Sequence, residues 1–272
     1  MTINCLGKLI DLSVPKVMGI LNVTPNSFYD GGKHSDEKTL LNHVEKMIIE
    51  GAAFIDIGAY SSKPDAEFVS EAAEMRRLVP VIKLVLKYFP ETLISVDTFR
   101  SDVAKTAIET GACMVNDISA GTLDSIMMES VAKLRVPYIM MHMKGNPQTM
   151  QSLAHYSNIT KEMLYYFSEK VAQARSFGIN DLIIDPGFGF AKTVEQNFEV
   201  MNNLELFQMV ELPLLVGVSR KSMIYKTLET SAEQALNGTS VLNTIALQKG
   251  ANILRVHDVK EAMECIKLVS QL

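Results

Sequence analysis

The chain has 272 residues, 47% of them hydrophobic and 21% charged, which suits a globular protein with a sizeable core. Its 26 basic and 31 acidic residues leave a net charge of −5 with no Lys/Arg block, so nucleic acid and anionic membranes are excluded as principal partners. No basic segment followed by a long apolar stretch opens the chain, and no apolar run nears the roughly 20 residues of a membrane-spanning helix; a cytoplasmic location is expected.

Short apolar runs alternate with longer amphipathic stretches. The first run covers 16–21, and a turn-rich connection over 22–36 with Pro25, Gly31 and Gly32 leads to a helix predicted over 37–50. There Leu40, Leu41, Val44, Met47 and Ile48 fall at helical spacing before Gly51. A run at 54–57 and a second long connection over 58–69 precede a helix over 70–87, opened by Ser70 and the acidic Glu74. Runs at 93–96, 113–115, 137–141, 182–184, 214–216 and 253–256 follow. Behind them come helices predicted over 101–110, 124–133, 160–176, 194–207, 232–248 and 260–269. The runs are apolar at nearly every position, as in parallel strands covered on both faces. Glycines such as Gly111 and Gly178 stop the helices that precede them.

Eight strand-then-helix units in a chain near the typical length of about 250 residues predict an α/β fold, a (β/α)₈ TIM barrel forming a single domain over 1–272. An open doubly wound sheet is disfavoured, because no GxGxxG fingerprint follows the first strand. Cys5, Cys113 and Cys265 lie far apart without a CxxC pair and read as free thiols in a reducing compartment.

Polar residues gather just after the strands, where a barrel has its catalytic mouth. They are Asn22, Ser61-Ser62-Lys63, Asp97, Asn116-Asp117, His142, Asp185, Ser219-Arg220-Lys221-Ser222, and Arg255 with His257. Single polar caps after strands are ordinary turn chemistry; eight converging on one rim make a site. The two long connections read as binding loops, and their Phe28 and Tyr29 would be exposed unless a ligand covered them.

The stretch Met18-Gly19-Ile20-Leu21-Asn22-Val23-Thr24-Pro25-Asn26-Ser27-Phe28-Tyr29-Asp30-Gly31-Gly32 resembles the first signature of the dihydropteroate synthase family. Asp56-Ile57-Gly58-Ala59-Tyr60-Ser61-Ser62-Lys63-Pro64 resembles the second. Ser95-Val96-Asp97-Thr98, Val115-Asn116-Asp117-Ile118, Met141-His142-Met143-Lys144-Gly145, Asp185-Pro186-Gly187-Phe188-Gly189-Phe190, Gly217-Val218-Ser219-Arg220-Lys221-Ser222 and Arg255-Val256-His257-Asp258 follow in family order. The resemblance runs from about residue 15 to the C-terminus.

That resemblance implies an enzyme joining a pterin methyl diphosphate to 4-aminobenzoate. Asp97, Asn116, Asp185 and Lys221 would recognise the pterin, whose amide-like edges need carboxylates and amides. Asn22, Lys63, Arg255 and His257 would hold the diphosphate, with Asn22 on a Mg²⁺ cofactor. Phe28, Ser62, Pro64, Phe190, Lys221 and Ser222 would shape the 4-aminobenzoate pocket. Asp97, Lys221, Arg255 and His257 would carry the chemistry, without a covalent enzyme intermediate. Sulfonamide inhibition and a homodimer through the last helices are implied too.

Plainer readings stand beside these roles. Asp97 and Asp185 could be strand-end caps, Asn22 a turn residue, Arg255 a surface group, and Phe190 and His142 core fillers. The second signature departs from the family pattern: Tyr60, Ser62 and Lys63 stand where Glu, Thr and Arg are usual, and Asp65 replaces a common Gly. Asn26 stands for a common Asp in the first loop. These changes bear on loop contacts, metal affinity and sulfonamide response. The alternatives are a pterin-dependent methyltransferase barrel, a Schiff-base aldolase using Lys221, and a non-catalytic pterin-binding relative.

Overall fold

The computed structural model describes residues 1–23, 34–60 and 68–272. Phe28, Ser62, Lys63 and Pro64, with most of the two long connections, lie outside the described residues.

An antiparallel hairpin comes first, β1 (Thr2–Cys5) and β2 (Lys8–Asp11), joined through Leu6 and Gly7. Both turn residues have positive φ, 51° and 89°, the two-residue turn whose twist matches paired strands. Eight parallel strands follow: β3 (Lys16–Asn22), β4 (Phe54–Gly58), β5 (Leu93–Asp97), β6 (Met114–Asp117), β7 (Tyr138–Met141), β8 (Leu182–Asp185), β9 (Leu215–Val216) and β10 (Ile253–Val256). They pair in the order β8-β7-β6-β5-β4-β3-β10-β9. A parallel bridge between Ile184 and Leu214 returns β9 to β8 and closes the barrel.

That closing seam is short for a local reason. Pro213 has no N–H to give, so its carbonyl accepts from Ile184 N at 3.0 Å and its own donor is missing. The Leu214 N–H turns instead to Asn252 Oδ1 at 2.9 Å, while Asn252 Nδ2 donates to Leu12 O at 3.0 Å. One side chain thus ties the seam to the hairpin.

The helices are α1 (His34–Ile49), α2 (Glu71–Tyr88), α3 (Ser101–Thr110), α4 (Met127–Leu134), α5 (Ile159–Ser176), α6 (Val194–Asn202), α7 (Ser222–Thr227), α8 (Leu236–Gln248) and α9 (Val259–Val269). The first helix starts at His34, three residues before its expected bound, and three later helices differ as well. The helix predicted from 124 starts at Met127, because Asp124 spends its carboxylate on the N–H groups of Ser101 and Ile126. The one predicted over 194–207 breaks at Asn203 into α6 and a 3₁₀ stretch, Leu204–Val210. The one predicted from 232 starts at Leu236, with the short α7 ahead of it. Among the described residues, no helix is long and apolar enough to cross a membrane.

Two apolar layers sort along the strands with a period of two. Outward residues, Val17, Ile55, Ile57, Ile94, Val96, Val115, Ile184 and Val256 among them, pack under the helices. Inward residues Met18, Phe54, Met114, Ile139, Ile183, Leu215 and Ile253 fill the N-terminal end of the barrel, where hairpin residues Ile3, Cys5 and Leu12 plug it. The interior has a dry floor, and whatever lies above it opens toward the strands' C-terminal ends.

Candidate active site

Two residues further along several strands, the inward positions turn polar: Asp56, Ser95, Asn116, Asp185 and Arg255. The first four are buried. A carboxylate at 0% exposure, such as Asp56, needs a cation or several donors to stay in the fold. Arg255 supplies the cation, donating from Nε to Asp56 Oδ2 at 2.6 Å and from Nη2 to Asp97 Oδ2 at 2.7 Å. Asn116 Nδ2 donates to the same Asp56 oxygen at 3.0 Å. That bond fixes the amide, so the Asn116 carbonyl oxygen turns away from Asp56. Gly58 makes room here: a Cβ on it would sit 3.2 Å from Asp97 Cβ. Asp56 Oδ1 and the neighbouring Ser95 Oγ are buried without a hydrogen-bond partner, a polar spot inside the barrel.

The opposite half is built on Asp185. Its Oδ1 accepts from Gly187 N at 2.7 Å, which curls the loop after β8 back over the strand. Lys221, at the start of α7, donates from Nζ to Phe188 O and lies 5.0 Å from the centre of the Phe190 ring. Gly217 marks where the halves meet, since a Cβ there would touch both, 3.8 Å from Arg255 Cβ and 3.9 Å from Lys221 Nζ. Asp97, Asp185, Lys221 and Arg255 therefore share one cavity mouth.

Other expected residues sort themselves by direction. Asn22 ends β3 with an exposed side chain at the rim. His257 stands just past β10, its Nδ1 3.0 Å from Ser219 Oγ. Ser222 opens α7 beside Lys221. Phe190 is half-buried and packs with Ile118, Met141, Met143, Met150 and Phe99 as an apolar wall. Asp117 turns away from the mouth and takes four donors, from Ser119 N, Ser119 Oγ, Gly121 N and Tyr138 Oη. Arg220 is also structural, forking onto Asp258 with two bonds of 2.8 Å. The loop that follows Asp97 is held from behind, where buried Glu74 receives Thr98 Oγ1 at 2.7 Å and pairs with Arg100.

Burial, opposed by Arg255 and reinforced by Asp56, pushes the Asp97 carboxyl up to about 7. Burial also lowers Lys221 to about 8, with Asp185 resisting the loss of its charge. Burial on its barrel side and adjacent Arg255 hold His257 down at about 4, although its outer edge reaches solvent. His257 is therefore a neutral hydrogen-bonding group near pH 7. A ligand that needs the Asp97 carboxylate and the Lys221 ammonium binds best between those two values. Its affinity should fall on the acid side as Asp97 takes a proton through about 7, and on the alkaline side as Lys221 loses one through about 8. Calorimetric titration of the phosphate-free ligand that the sequence resemblance implies, from pH 5.5 to 9.5, checks this bell shape; a flat profile would remove both residues from the contact.

The model of the pterin binding enzyme family matches residues 18–257, from within β3 to just past β10. The chain belongs to this family. It is 42% identical over 265 residues to the dihydropteroate synthase of Escherichia coli K12, covering 97% of this chain and 93% of that one. A crystal structure of Yersinia pestis dihydropteroate synthase in a sulfonamide drug complex superposes with a TM-score of 0.92 at 39% identity, covering 100% of this chain and 98% of that one. Xanthomonas albilineans dihydropteroate synthase with 4-aminobenzoic acid gives a TM-score of 0.91 at 36% identity, over 99% and 97% of the two chains.

Around the mouth of this pterin-binding enzyme family member stand residues that sequence reasoning left without a role. Asp56 was legible, because a lone carboxylate inside the apolar run Phe54-Ile55-Asp56-Ile57 has to meet a cation. Lys192, buried behind the Phe190 wall, had no such signal. His142, expected to fill core or pocket, is buried as expected, but its ring also lies 3.1 Å from Lys192 Nζ.

Proposed function

We propose that the protein condenses 7,8-dihydropterin-6-ylmethyl diphosphate with 4-aminobenzoate, giving 7,8-dihydropteroate and diphosphate, a transferase step of folate biosynthesis. One observation carries the reading: acceptors from Asp97, Asn116 and Asp185 and cations from Lys221 and Arg255 converge on a single mouth above an apolar floor. A pterin's amino and ring N–H donors fit the two carboxylates and the Asn116 carbonyl, and its ring oxygen and nitrogens fit Lys221. Identity of 42% to a dihydropteroate synthase over 97% of this chain favours this reading over a pterin-dependent methyltransferase, and the matched Asp97, Asn116, Asp185, Lys221, Arg255 and His257 favour it over a non-catalytic relative.

The carbon–oxygen bond to the diphosphate breaks as the aniline nitrogen bonds to the methylene, and the nitrogen's proton leaves to solvent. No side-chain nucleophile is required. Arg255, with Nη1 donors left over from its two carboxylates, and His257 at the rim would receive the departing anion. The Asp97 carboxylate would favour cationic character on the pterin methylene. Phe190, Lys221 and Ser222 would border the 4-aminobenzoate position. The Yersinia pestis relative's drug complex supports sulfonamides as competitors at that position.

Magnesium belongs to this proposal. Among the described residues, no three His, Cys, Asp or Glu are grouped to hold a metal. The ion would therefore take its ligands from the diphosphate, water and the Asn22 amide oxygen at the rim, a donor set that suits magnesium. Bound there, it would neutralise charge on the leaving group.

Exposed Val241 and Leu268 on the outer faces of α8 and α9 support a homodimer through the last helices. Three buried free cysteines support a reducing, cytoplasmic setting. The deciding assay is diphosphate release from the purified protein. Release should require both substrates, fall at least tenfold on chelation of Mg²⁺, and be competed by a sulfonamide against 4-aminobenzoate. No release with both substrates and Mg²⁺ present would overturn the assignment.

A further inference from the structure

Lys192 is a charged side chain at 3% exposure that touches neither the mouth nor solvent. Its Nζ lies 3.0 Å from Gly187 O, 3.0 Å from Phe190 O and 3.1 Å from His142 Nδ1. Three acceptors meet the three protons of one ammonium group. Two of them, the Gly187 and Phe190 carbonyls, are the ends of the turn closed by Phe190 N donating to Gly187 O at 3.1 Å. The third belongs to the strand next door, since His142 follows β7 and its N–H donates to Asp185 O at 2.9 Å.

The segment it grips does not hold its shape by itself. Gly187, Gly189 and Ala191 all have positive φ, at 67°, 84° and 48°. Alternation of this kind gives no repeating backbone hydrogen bonds, so outside groups must satisfy the loop. Asn197 Oδ1 accepts from Gly189 N at 2.7 Å, and Tyr156 Oη donates to Ala191 O at 2.8 Å. Lys221 takes the Phe188 carbonyl. Lys192 is the one of these groups that spans both ends of the turn and reaches β7. The loop lies directly on that strand exit, for a Cβ on Gly187 would sit 2.3 Å from His142 O.

We propose that Lys192 is a positioning residue for the pterin site: from behind the wall it locks the 187–190 loop to His142, setting Phe190 and the Asp185 carboxylate before a ligand arrives. The inference rests on the reading of the mouth as a pterin pocket. Burial lowers Lys192 itself to about 7, with Asp185 resisting, so the ammonium is fully formed on the acid side; there Lys221, Arg255 and Lys192 together oppose the rise that burial imposes on Asp185. A donating ammonium also dictates the His142 ring state. Nδ1 must be the bare acceptor nitrogen, with the proton on Nε2, and burial keeps the ring neutral.

Three measurements test it, two on a variant and one on the unaltered protein. Lys192→Met keeps the length and volume of the side chain and removes its donors. Calorimetry with a phosphate-free pterin should show affinity at least tenfold weaker. In steady state, KM for the pterin diphosphate should rise at least tenfold while kcat at saturation stays within threefold, because Lys192 reaches no reacting atom. A variant that binds and turns over like the unaltered protein would overturn the inference; so would a fall confined to kcat. Nitrogen-15 spectra of the unaltered protein at pH 6 should show His142 with an unprotonated Nδ1. A proton on Nδ1 would overturn the inference, even if Lys192→Met failed to fold. Failure of the unaltered protein to bind the pterin would sink the site reading, whereas equal binding by both would sink only the role of Lys192.

Discussion

Asp185→Asn is expected to weaken binding of a phosphate-free pterin by about 10²–10³-fold while leaving the fold intact. A hydrogen bond to a charged group contributes about 1.5–3 kcal/mol, and a carboxylate facing two pterin N–H donors makes two of them. Losing one bond and weakening the other costs about 3–4 kcal/mol, at about 1.4 kcal/mol per decade of affinity. Asparagine keeps an acceptor for Gly187 N–H, now bonded at 2.7 Å, so the loop after β8 keeps its start. The substitution does have a second effect at a distance. Asp185 is the largest support for the Lys221 charge, and without it Lys221 falls below its present value of about 8. Calorimetry and thermal melting together check the result. Binding within threefold of the unaltered protein would remove Asp185 from the pterin contact.

Strand positions were readable because a parallel barrel strand is covered on both faces and so is apolar at nearly every residue. Runs at 93–96 and 253–256 match β5 (Leu93–Asp97) and β10 (Ile253–Val256) almost residue for residue. The N-terminal hairpin escaped notice. Its turn is Leu6-Gly7, with a leucine at φ 51°, in place of the Asn-Gly or Asp-Gly that announces such turns. Its exposed Leu9 and polar Thr2 and Lys8 also blur any alternation. The hairpin becomes intelligible only once the barrel floor is seen to need Ile3, Cys5 and Leu12.

Which polar residues look inward was the harder matter. Asn116 and Asp117 are neighbours after the same run, yet one faces the mouth and the other organises a turn on the far side. Period two decides between them only when the inward parity of the strand is known. Arg220 and Lys221 present the same ambiguity one turn later, and Asp258 settles it by capturing Arg220. Lys192 was illegible for a different reason. Its three acceptors are two carbonyls of its own loop and a ring fifty residues upstream, and no spacing in sequence encodes that meeting.

Arg255→Met should lower kcat/KM by about 10³-fold and also destabilise the fold, two effects that a second substitution can separate. The fall in rate is the size expected for losing one preorganised group that faces developing charge. The guanidinium neutralises Asp56 at 2.6 Å and Asp97 at 2.7 Å. Removing it leaves Asp56 at 0% exposure as an uncompensated buried charge whose Oδ1 already lacks a partner. Breaking a buried pair from one side costs about 3–5 kcal/mol, whereas replacing both partners can be close to neutral. Adding Asp56→Asn should therefore recover most of the stability, because an amide still bonds Asn116 and needs no cation. At about 2–4 °C per kcal/mol for a chain near this size, the single variant melts roughly 6–20 °C lower and the double variant only a few degrees lower. Activity should not return. Asp97, held at about 7 against burial by Arg255, rises further without it and is protonated at neutral pH. Melting temperatures and kcat/KM at the four corners of the cycle measure the separation. An unchanged melting temperature for Arg255→Met would mean that the buried pair carries no stability, and a double variant that regains turnover would mean that Arg255 serves only the fold.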